Sequence, residues 1–407
     1  MDYIKVISLY SGAGLMDCGF INQGFGIVWG CEIEPAFIKA YNYALGKHVE
    51  TLKSNGTLDS GYRLYIIPED GVDITKVEPD TIREQVRGDF VGIIGGPPCQ
   101  DYSNGGKHKG VTGEKGRLIH DYFEKVRELK PDFFVFENVD GLLRTKKHKK
   151  AYMQLIKNFN KIDYTIWHDV INALDFGIPQ NRHRVFIVGF RNDVIKKLVC
   201  QGLIFKDTDE LRNIDPSNKI YNRLVFRWPR KMYNHDPREF SWPLEWPFRE
   251  KTKLNLTISE VFNEYGIPAI AKDLCIISAF EGLTPNTPNQ AEYFNPKSYK
   301  FYQINEGDTR RKSFKRLHRF RFSPTVAYGN NEVHLHPVEP RRLTVREALR
   351  LQTAPDSFVL PSDMSLTNKF KAIGNGVPVK LVELIAAEVK RTISLYLGIQ
   401  KTSLQAI

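Results

Sequence analysis

The sequence predicts an α/β fold, a doubly wound parallel sheet that carries an inserted, loop-rich second unit. Three observations predict it. Short apolar runs alternate with helical patterns through the first third of the chain. Glycine turns follow two of those runs, at "LYSGAG" (9–14) and "GGPP" (95–98). Between 191 and 340 the periodicity fades, and Trp, Pro, Arg and Asn gather in stretches such as "RWPRKMYNHDPREFSWPLEWPF". Strand–helix alternation builds parallel sheets, because each crossover places a helix over one face.

The elements follow in order. "YIKVISLY" (3–10) reads as the first strand and "LMDCGFINQGF" as the helix behind its glycine turn. "IVWGCEIE" (27–34) is the second strand, followed by the helix "PAFIKAYNYAL", which opens on Pro35, where a missing N–H costs nothing. Asp73 and Ile74 close a weaker strand region. "FVGIIGG" (90–96) is the next strand, "RLIHDYFEKVREL" (117–129) a helix, and "PDFFVFENV" (131–139) a strand again. In "TIWHDVINALDFGIPQNRHRVFIVGF" (165–190) two strand runs flank a loop, which predicts an antiparallel hairpin at the sheet edge. Helical pattern returns at "RRLTVREALRLQ" (341–352), where Thr344 and Glu347 have capping-box spacing. A final helix over about 379–397 keeps Leu381, Leu384, Ile385, Val389 and Ile393 on one face.

Composition bounds the function. The 407 residues contain 58 Lys and Arg against 47 Asp and Glu, a net charge of +11 that favours a polyanionic partner. Arg310, Arg311, Lys312, Lys315, Arg316, Arg319 and Arg321 fall within twelve positions, interleaved with Phe314, Phe320 and Phe322, as expected of a phosphate-contacting segment. A second basic run, "RTKKHKK" (144–150), reads equally well as the polar start of a helix. No apolar run is long enough to cross a bilayer, and the start of the chain does not read as a signal peptide. The five cysteines are odd in number and lack C-x-x-C spacing, which argues against a disulfide framework and a structural zinc site and for a reducing cytoplasm.

Strand carboxyl ends line the ligand crevice of a doubly wound sheet. The turn "LYSGAG" sits at such an end, although Asp17 stands where a dinucleotide fingerprint has its third glycine. Glu32 suits the hydroxyls of a ribose, and Asp73 suits an adenine amino group. Cys99 follows two prolines and precedes a polar, glycine-rich loop, so its thiol is a candidate nucleophile. Glu137 ends the next strand, towards the same crevice. Arg182 and Arg184 alternate on one strand edge, pointing together at a planar or anionic ligand. A cysteine hydrolase would need His108, His120 or His183 beside Cys99, and would leave Glu137 and the arginine pair unexplained.

These residues, in this order, resemble the cytosine-5 DNA methyltransferases. "LYSGAGL" is similar to the family's methionine-binding turn, "CEIE" to its ribose motif and "VDIT" to its adenine motif. "GGPPCQDYS" resembles the Pro-Cys-Gln nucleophile loop, "FENV" the Glu-Asn-Val motif and "QNRHR" the Gln-x-Arg-x-Arg motif. "RRLTVREALRLQ" and "IGNGVPV" resemble its late helix and its C-terminal Gly-Asn motif. The resemblance implies an S-adenosylmethionine-dependent methyltransferase sheet acting on double-stranded DNA, with the target cytosine flipped out of the stack. It implies catalytic roles for Cys99, Glu137, Arg182 and Arg184. It places the cofactor against Tyr10, Gly12, Gly14, Glu32, Ile33, Asp73, Ile74, Pro98, Leu118 and Asn375. Ile33 stands where the family often has an aromatic residue, and Leu15 replaces a glycine and crowds the helix start. Ser103, Arg310, Arg311, Lys315, Arg316, Arg319 and Arg321 become the DNA-contacting set. Residues 1–190 with 362–407 become the catalytic domain, and 191–361 the target-recognition domain. The resemblance further implies a cytoplasmic monomer paired with a cognate restriction endonuclease. The alternatives are a methyltransferase of tRNA cytosine and a non-catalytic DNA-binding relative.

Overall fold

The structure is a computed structural model that describes residues 3–86, 90–98, 114–143, 145–200, 226–311, 313–328 and 333–397. Its centre is a six-stranded sheet. The strands are β1 (Ile4–Leu9), β2 (Phe25–Cys31), β3 (Val91–Gly95), β4 (Phe133–Val139), β5 (Tyr164–Asn172) and β7 (His183–Arg191), in the order β2-β1-β3-β4-β7-β5. A two-residue strand, β6 (Gln180–Asn181), lies outside it. β1 pairs in parallel with β2 on one side and β3 on the other. The chain therefore reverses its winding at β1, and the crevice of a doubly wound sheet opens there, between the ends of β1 and β3.

The expected hairpin is present. β7 runs antiparallel to both β4 and β5, which makes the sheet mixed rather than wholly parallel and leaves β5 at the edge. The expected strand closed by Asp73 is absent among the described residues. The chain instead crosses β2 in extended form with single bonds, Tyr65 N to Ile27 O at 3.2 Å and Val72 N to Glu32 O at 2.8 Å. No second bond follows either of these, so no ladder forms.

Period-two alternation divides the strand side chains between two cores. Val6, Phe133, Val135, Phe186, Val188 and Phe190 face one layer, and Ile7, Leu9, Phe134, Phe136, Val185 and Ile187 the other. The first layer holds α1 (Leu15–Asn22), α2 (Pro35–Ser54) and the C-terminal helix Val379–Leu397. The second holds α3 (Pro79–Gln85), α4 (Glu114–Leu129) and α5 (Lys146–Lys161).

The first core also takes Val194, Ile195 and Leu198 of α6 (Asn192–Cys200), and Leu343, Val345, Leu349, Phe358 and Leu360. By burial, then, α6 and the late helix Val345–Leu351 join the core under the sheet, together with Phe226, Ile276, Leu317 and Val326 of the segment that separates them, and Val345 N and Arg346 N bond Glu292 O and Asn289 O of that segment at 2.8 and 3.2 Å. That helix opens on the expected capping box, with Thr344 Oγ1 accepting from Glu347 N at 3.0 Å and Glu347 Oε2 from Thr344 N at 2.9 Å. The intervening segment has two small cores of its own. Trp242, Trp246, Val261, Phe262, Phe320 and Phe322 form one, and Phe301, Ile304, Val333 and Leu335 the other. β6 tethers it to the sheet by pairing with Ser323–Pro324.

Candidate active site

The turn after β1 is braced by a carboxylate. Gly12 N donates to Glu32 Oε2 at 2.9 Å, while Glu32 Oε1 accepts from Ile33 N and Glu34 N at 2.8 and 2.9 Å. Glu32, at the end of β2, thereby fixes the relation of the two strand ends. Tyr10 has φ 55 and sends its hydroxyl to Leu118 O at 3.2 Å, which ties the turn to α4. Gly14 has φ 87 and is the N-cap of α1. A Cβ on Gly12 would meet nothing within 4 Å, so there is open space over the turn. Ile33 borders it as a 64% exposed isoleucine. The Val72 bond to Glu32 O brings Asp73 to the same end of the sheet. There Thr75 donates to the Asp73 carboxylate from its hydroxyl at 2.7 Å and its amide at 3.1 Å, and these bonds hold the carboxyl below its usual range. Ile74, by contrast, is buried in the core beneath this loop. Turn, carboxylate, exposed apolar side chain and second carboxylate suit a cofactor with a ribose and an adenine.

Beneath the turn lies Asp17, fully buried in the first turn of α1. Tyr41 donates to its Oδ1 at 3.1 Å, and burial pushes its carboxyl up to about 6.

The two glycines after β3 are required by their neighbours. A Cβ on Gly95 would lie 2.5 Å from Leu9 O, and one on Gly96 would lie 2.8 Å from Glu137 Oε2. Gly96 thus lets the Glu137 carboxylate lie close against the turn without being displaced. Arg184 meets it from the neighbouring strand, with Nε 2.8 Å from Glu137 Oε1. The register explains the meeting. Glu137 lies opposite Phe186 and Val139 opposite Arg184, so Glu137 and Arg184 are diagonal neighbours on one face. Burial raises the Glu137 carboxyl above its ordinary value, against the pull of Arg184 and Arg182. Asn138 is buried and donates to Pro97 O at 3.0 Å, which anchors the proline turn to β4. Sequence reasoning took the Glu-Asn-Val run for its glutamate alone. The signal for Asn138 is a carboxamide near the end of an otherwise apolar strand run, "FFVFENV". Pro98 is exposed at the mouth of the turn. Cys99 and Ser103 lie outside the described residues.

Arg182 does not join Arg184. It is fully buried and donates to Val326 O at 2.7 Å, to Gly374 O at 3.1 Å and to Gly376 O. Gln180 and Gln352 complete this network, with Gln352 Nε2 reaching Ile373 O at 2.7 Å and Gly376 O at 3.2 Å. The expectation that both arginines face a ligand is corrected. β6 ends at Asn181, and Arg182 precedes β7, so strand alternation no longer fixes its direction, and unpaired carbonyls draw it inward. Its role is to hold the Gly-Asn-Gly turn that presents Asn375, which is exposed. That turn packs on the start of α1. A Cβ on Gly376 would lie 2.1 Å from Leu15 Cδ1, so the room that Leu15 takes at the helix start is the room that Gly376 leaves.

The basic segment is only partly a surface. Arg316 is fully buried and donates to the carbonyls of Ile304, His336, Glu339 and Phe301. Arg319 is buried against Glu306, with Nε 2.9 Å from Oε1. Neither is placed to meet a phosphate, a correction with one physical reason, since both satisfy internal acceptors. Arg310 and Arg311 stay exposed beside Glu245 and Asp308, Lys315 is partly buried on a two-residue strand, and Lys312 lies outside the described residues.

Residues 4–391 match the family described as C-5 cytosine-specific DNA methylase. The chain belongs to this family. It is a DNA cytosine methyltransferase, and its relatives agree. It is 36% identical over 389 residues to Type II methyltransferase M.NmeDI of Neisseria meningitidis serogroup C, covering 95% of this chain and 83% of that one. Type II methyltransferase M.NgoPII of Neisseria gonorrhoeae is 28% identical, with 96% of each chain covered. Among solved structures, the Dnmt2 methyltransferase of S. pombe shares the fold with a TM-score of 0.54 at 14% identity, covering 96% of this chain and 99% of that one. The braces of the crevice, half-buried Glu32 and buried Asn138 and Arg182, thus belong to a cytosine methyltransferase. Among the described residues, no helix is long and apolar enough to cross a membrane.

Proposed function

We propose that this methyltransferase modifies carbon 5 of a flipped cytosine in a short sequence of double-stranded DNA, through a covalent adduct on Cys99. S-adenosylmethionine would supply the electrophilic methyl group. It would be held over the glycine turn by Tyr10, Gly12, Gly14, Glu32, Ile33, Asp73, Pro98, Leu118 and Asn375. The observation that carries the reading is Glu137, a carboxyl raised by burial, paired with Arg184 and pressed against the turn that leads into Cys99.

Carbon 5 of cytosine is a weak nucleophile, and attack by a thiolate at carbon 6 converts it into an enamine carbon. Glu137 would hydrogen-bond ring N3 and the exocyclic amine, giving or sharing a proton as electron density moves into the ring. Arg184 holds that carboxyl in place and would meet the base at its O2. Methyl transfer would release S-adenosylhomocysteine, and once water takes the carbon 5 proton the C6–S bond would break, freeing the Cys99 thiolate and restoring the ring. Ser103, Arg310, Arg311 and Lys315 would meet the DNA backbone, and the segment between α6 and Leu343 would be the target-recognition domain. The Type II designation of the two relatives favours a place in a restriction-modification system, and the reading includes a cytoplasmic monomer beside a cognate endonuclease.

The test is to incubate the protein with S-adenosylmethionine and unmethylated genomic DNA and map 5-methylcytosine base by base, with Cys99→Ser as control. Methylation within one short motif, absent in the variant, supports reaction, nucleophile and specificity together. Bare DNA from wild type that still binds the cofactor would defeat the DNA reading. Methylation by Cys99→Ser at the wild-type rate would defeat the adduct.

A further inference from the structure

Among the arginines of the 309–321 segment, Arg321 differs from the rest. Arg310, Arg311 and Arg319 each face a carboxylate, and Arg316 faces four carbonyls. Among the described residues, the Arg321 guanidinium meets no acceptor. It lies over the ring of Phe322, 5.2 Å from the centroid, and burial lowers its pKa. It lines a cavity of about 140 Å³ with Asn181, Thr309, His318, Phe322 and Pro324. A single water needs only about 10–15 Å³, so this space is far larger than a hydration site.

Two polar side chains beside Arg321, those of His318 and Asn181, have N–H donors to spare. His318 Nδ1 accepts from Phe320 N at 3.1 Å, so the ring hydrogen sits on Nε2, which is buried and has no partner among the described residues. Burial beside Arg319 and Arg321 pushes the His318 pKa down to about 3, so the ring is neutral and keeps this tautomer. Asn181 Oδ1 already accepts from Asn172 Nδ2 at 3.1 Å, which leaves its NH2 to donate. The cavity also has a fixed place. Asn181 lies three residues before Arg184 on extended chain, a reach of at most about 10 Å. It therefore flanks the position where Glu137 and Arg184 would hold the target base.

Resting on the DNA reading above, we propose that this pocket reads a guanine next to or near the target cytosine, with Arg321 donating to its O6 and N7. Guanine is the base whose major-groove edge carries two acceptors and no donor, whereas adenine and cytosine present an amino group and thymine a methyl group. A phosphate also accepts, but it is met by an exposed side chain that can follow it. Arg321 is instead half-buried against the ring of Phe322, which narrows the directions its fork can take.

The experiment begins from the methylated motif found for wild type. If wild type methylates no DNA, the DNA reading fails and the guanine proposal that rests on it falls with it, an outcome distinct from the two below. With the motif known, each guanine in synthetic duplexes is replaced in turn by 7-deazaguanine, which lacks the N7 acceptor. Methylation is then compared in wild type, Arg321→Lys and Arg321→Ala. At one guanine, 7-deazaguanine is expected to lower the wild-type kcat/KM by about tenfold, within the range of a bidentate arginine–guanine pair, and to leave both variants unaffected. Both variants are also expected to accept other bases at that position. Two outcomes overturn the proposal. One is a loss in Arg321→Ala that is equal for every duplex, recovered by Arg321→Lys and accompanied by a shallower salt dependence, which marks a phosphate contact. The other is equal sensitivity to 7-deazaguanine in wild type and variants at every position.

Discussion

The crevice at the ends of β1, β3 and β4 and the segment around 309–321 both concentrate charge, and they handle it in opposite ways. In the crevice, backbone carbonyls are consumed by the sheet ladder. Charge there is met by other side chains, as Arg184 meets Glu137, or by backbone amides, as at Glu32. In the loop-rich segment the backbone has few ladders, and its buried carbonyls still require donors. Arginine side chains supply them. Arg316 satisfies four carbonyls, Arg346 reaches those of Pro288, Pro355 and Phe358, and Arg319 reaches those of Lys253 and Leu254. Arg182, at the junction of the two regions, behaves like the second group. A cationic residue in irregular backbone is thus as much a structural donor as a ligand contact.

The sharpest break between the regions is expected at Glu137. Glu137→Gln keeps shape but removes the titrating oxygen, and single-turnover methylation should fall by roughly 10²–10⁴-fold while cofactor affinity holds. Arg184→Met should lose activity on a similar scale. The double variant should lose little more than either alone, because the two residues act as a unit.

Arg182→Met and Arg316→Met should behave in the opposite sense. Each strands several buried carbonyls at about 1–3 kcal/mol apiece, and denaturant titration should show losses of roughly 3–5 kcal/mol. A loss in Arg316→Met confined to DNA affinity, with stability intact, would place that residue back on the surface.

Asp17 tests the cost of burying charge in the crevice. Its ordinary carboxyl value of 3.8 rises to about 6 on folding, through burial. Its contribution to stability is therefore complete below about pH 4 and lost as pH rises towards 6. About two pH units at 1.36 kcal/mol each give roughly 3 kcal/mol. Wild type should lose that amount between pH 4 and 7 relative to Asp17→Asn, measured as paired unfolding curves across the range. The smallest effect is expected at Arg310, an 81% exposed side chain beside Glu245. Arg310→Met should change stability by no more than about 0.5 kcal/mol, read from the thermal midpoint.

From the sequence alone came the order of strands and helices, the capping box at Thr344 and Glu347, and the gathering of Gly12, Glu32 and Glu137 at one end of a sheet. These follow from local rules. Alternation assigns a strand residue to a face, and the crossover rule puts strand ends together, whatever the rest of the chain does. Tertiary structure alone decided the fate of the arginines, the packing of Leu343–Leu360 with the sheet, and the extended path that replaces a strand before Asp73. Arg182 and Arg184 stand two residues apart in one motif, yet one serves carbonyls from Val326, Gly374 and Gly376 and the other serves Glu137. Which unpaired acceptors lie nearby is a property of distant segments, and no local pattern encodes it. The same reason left Leu15 unexplained until Gly376 was found against it.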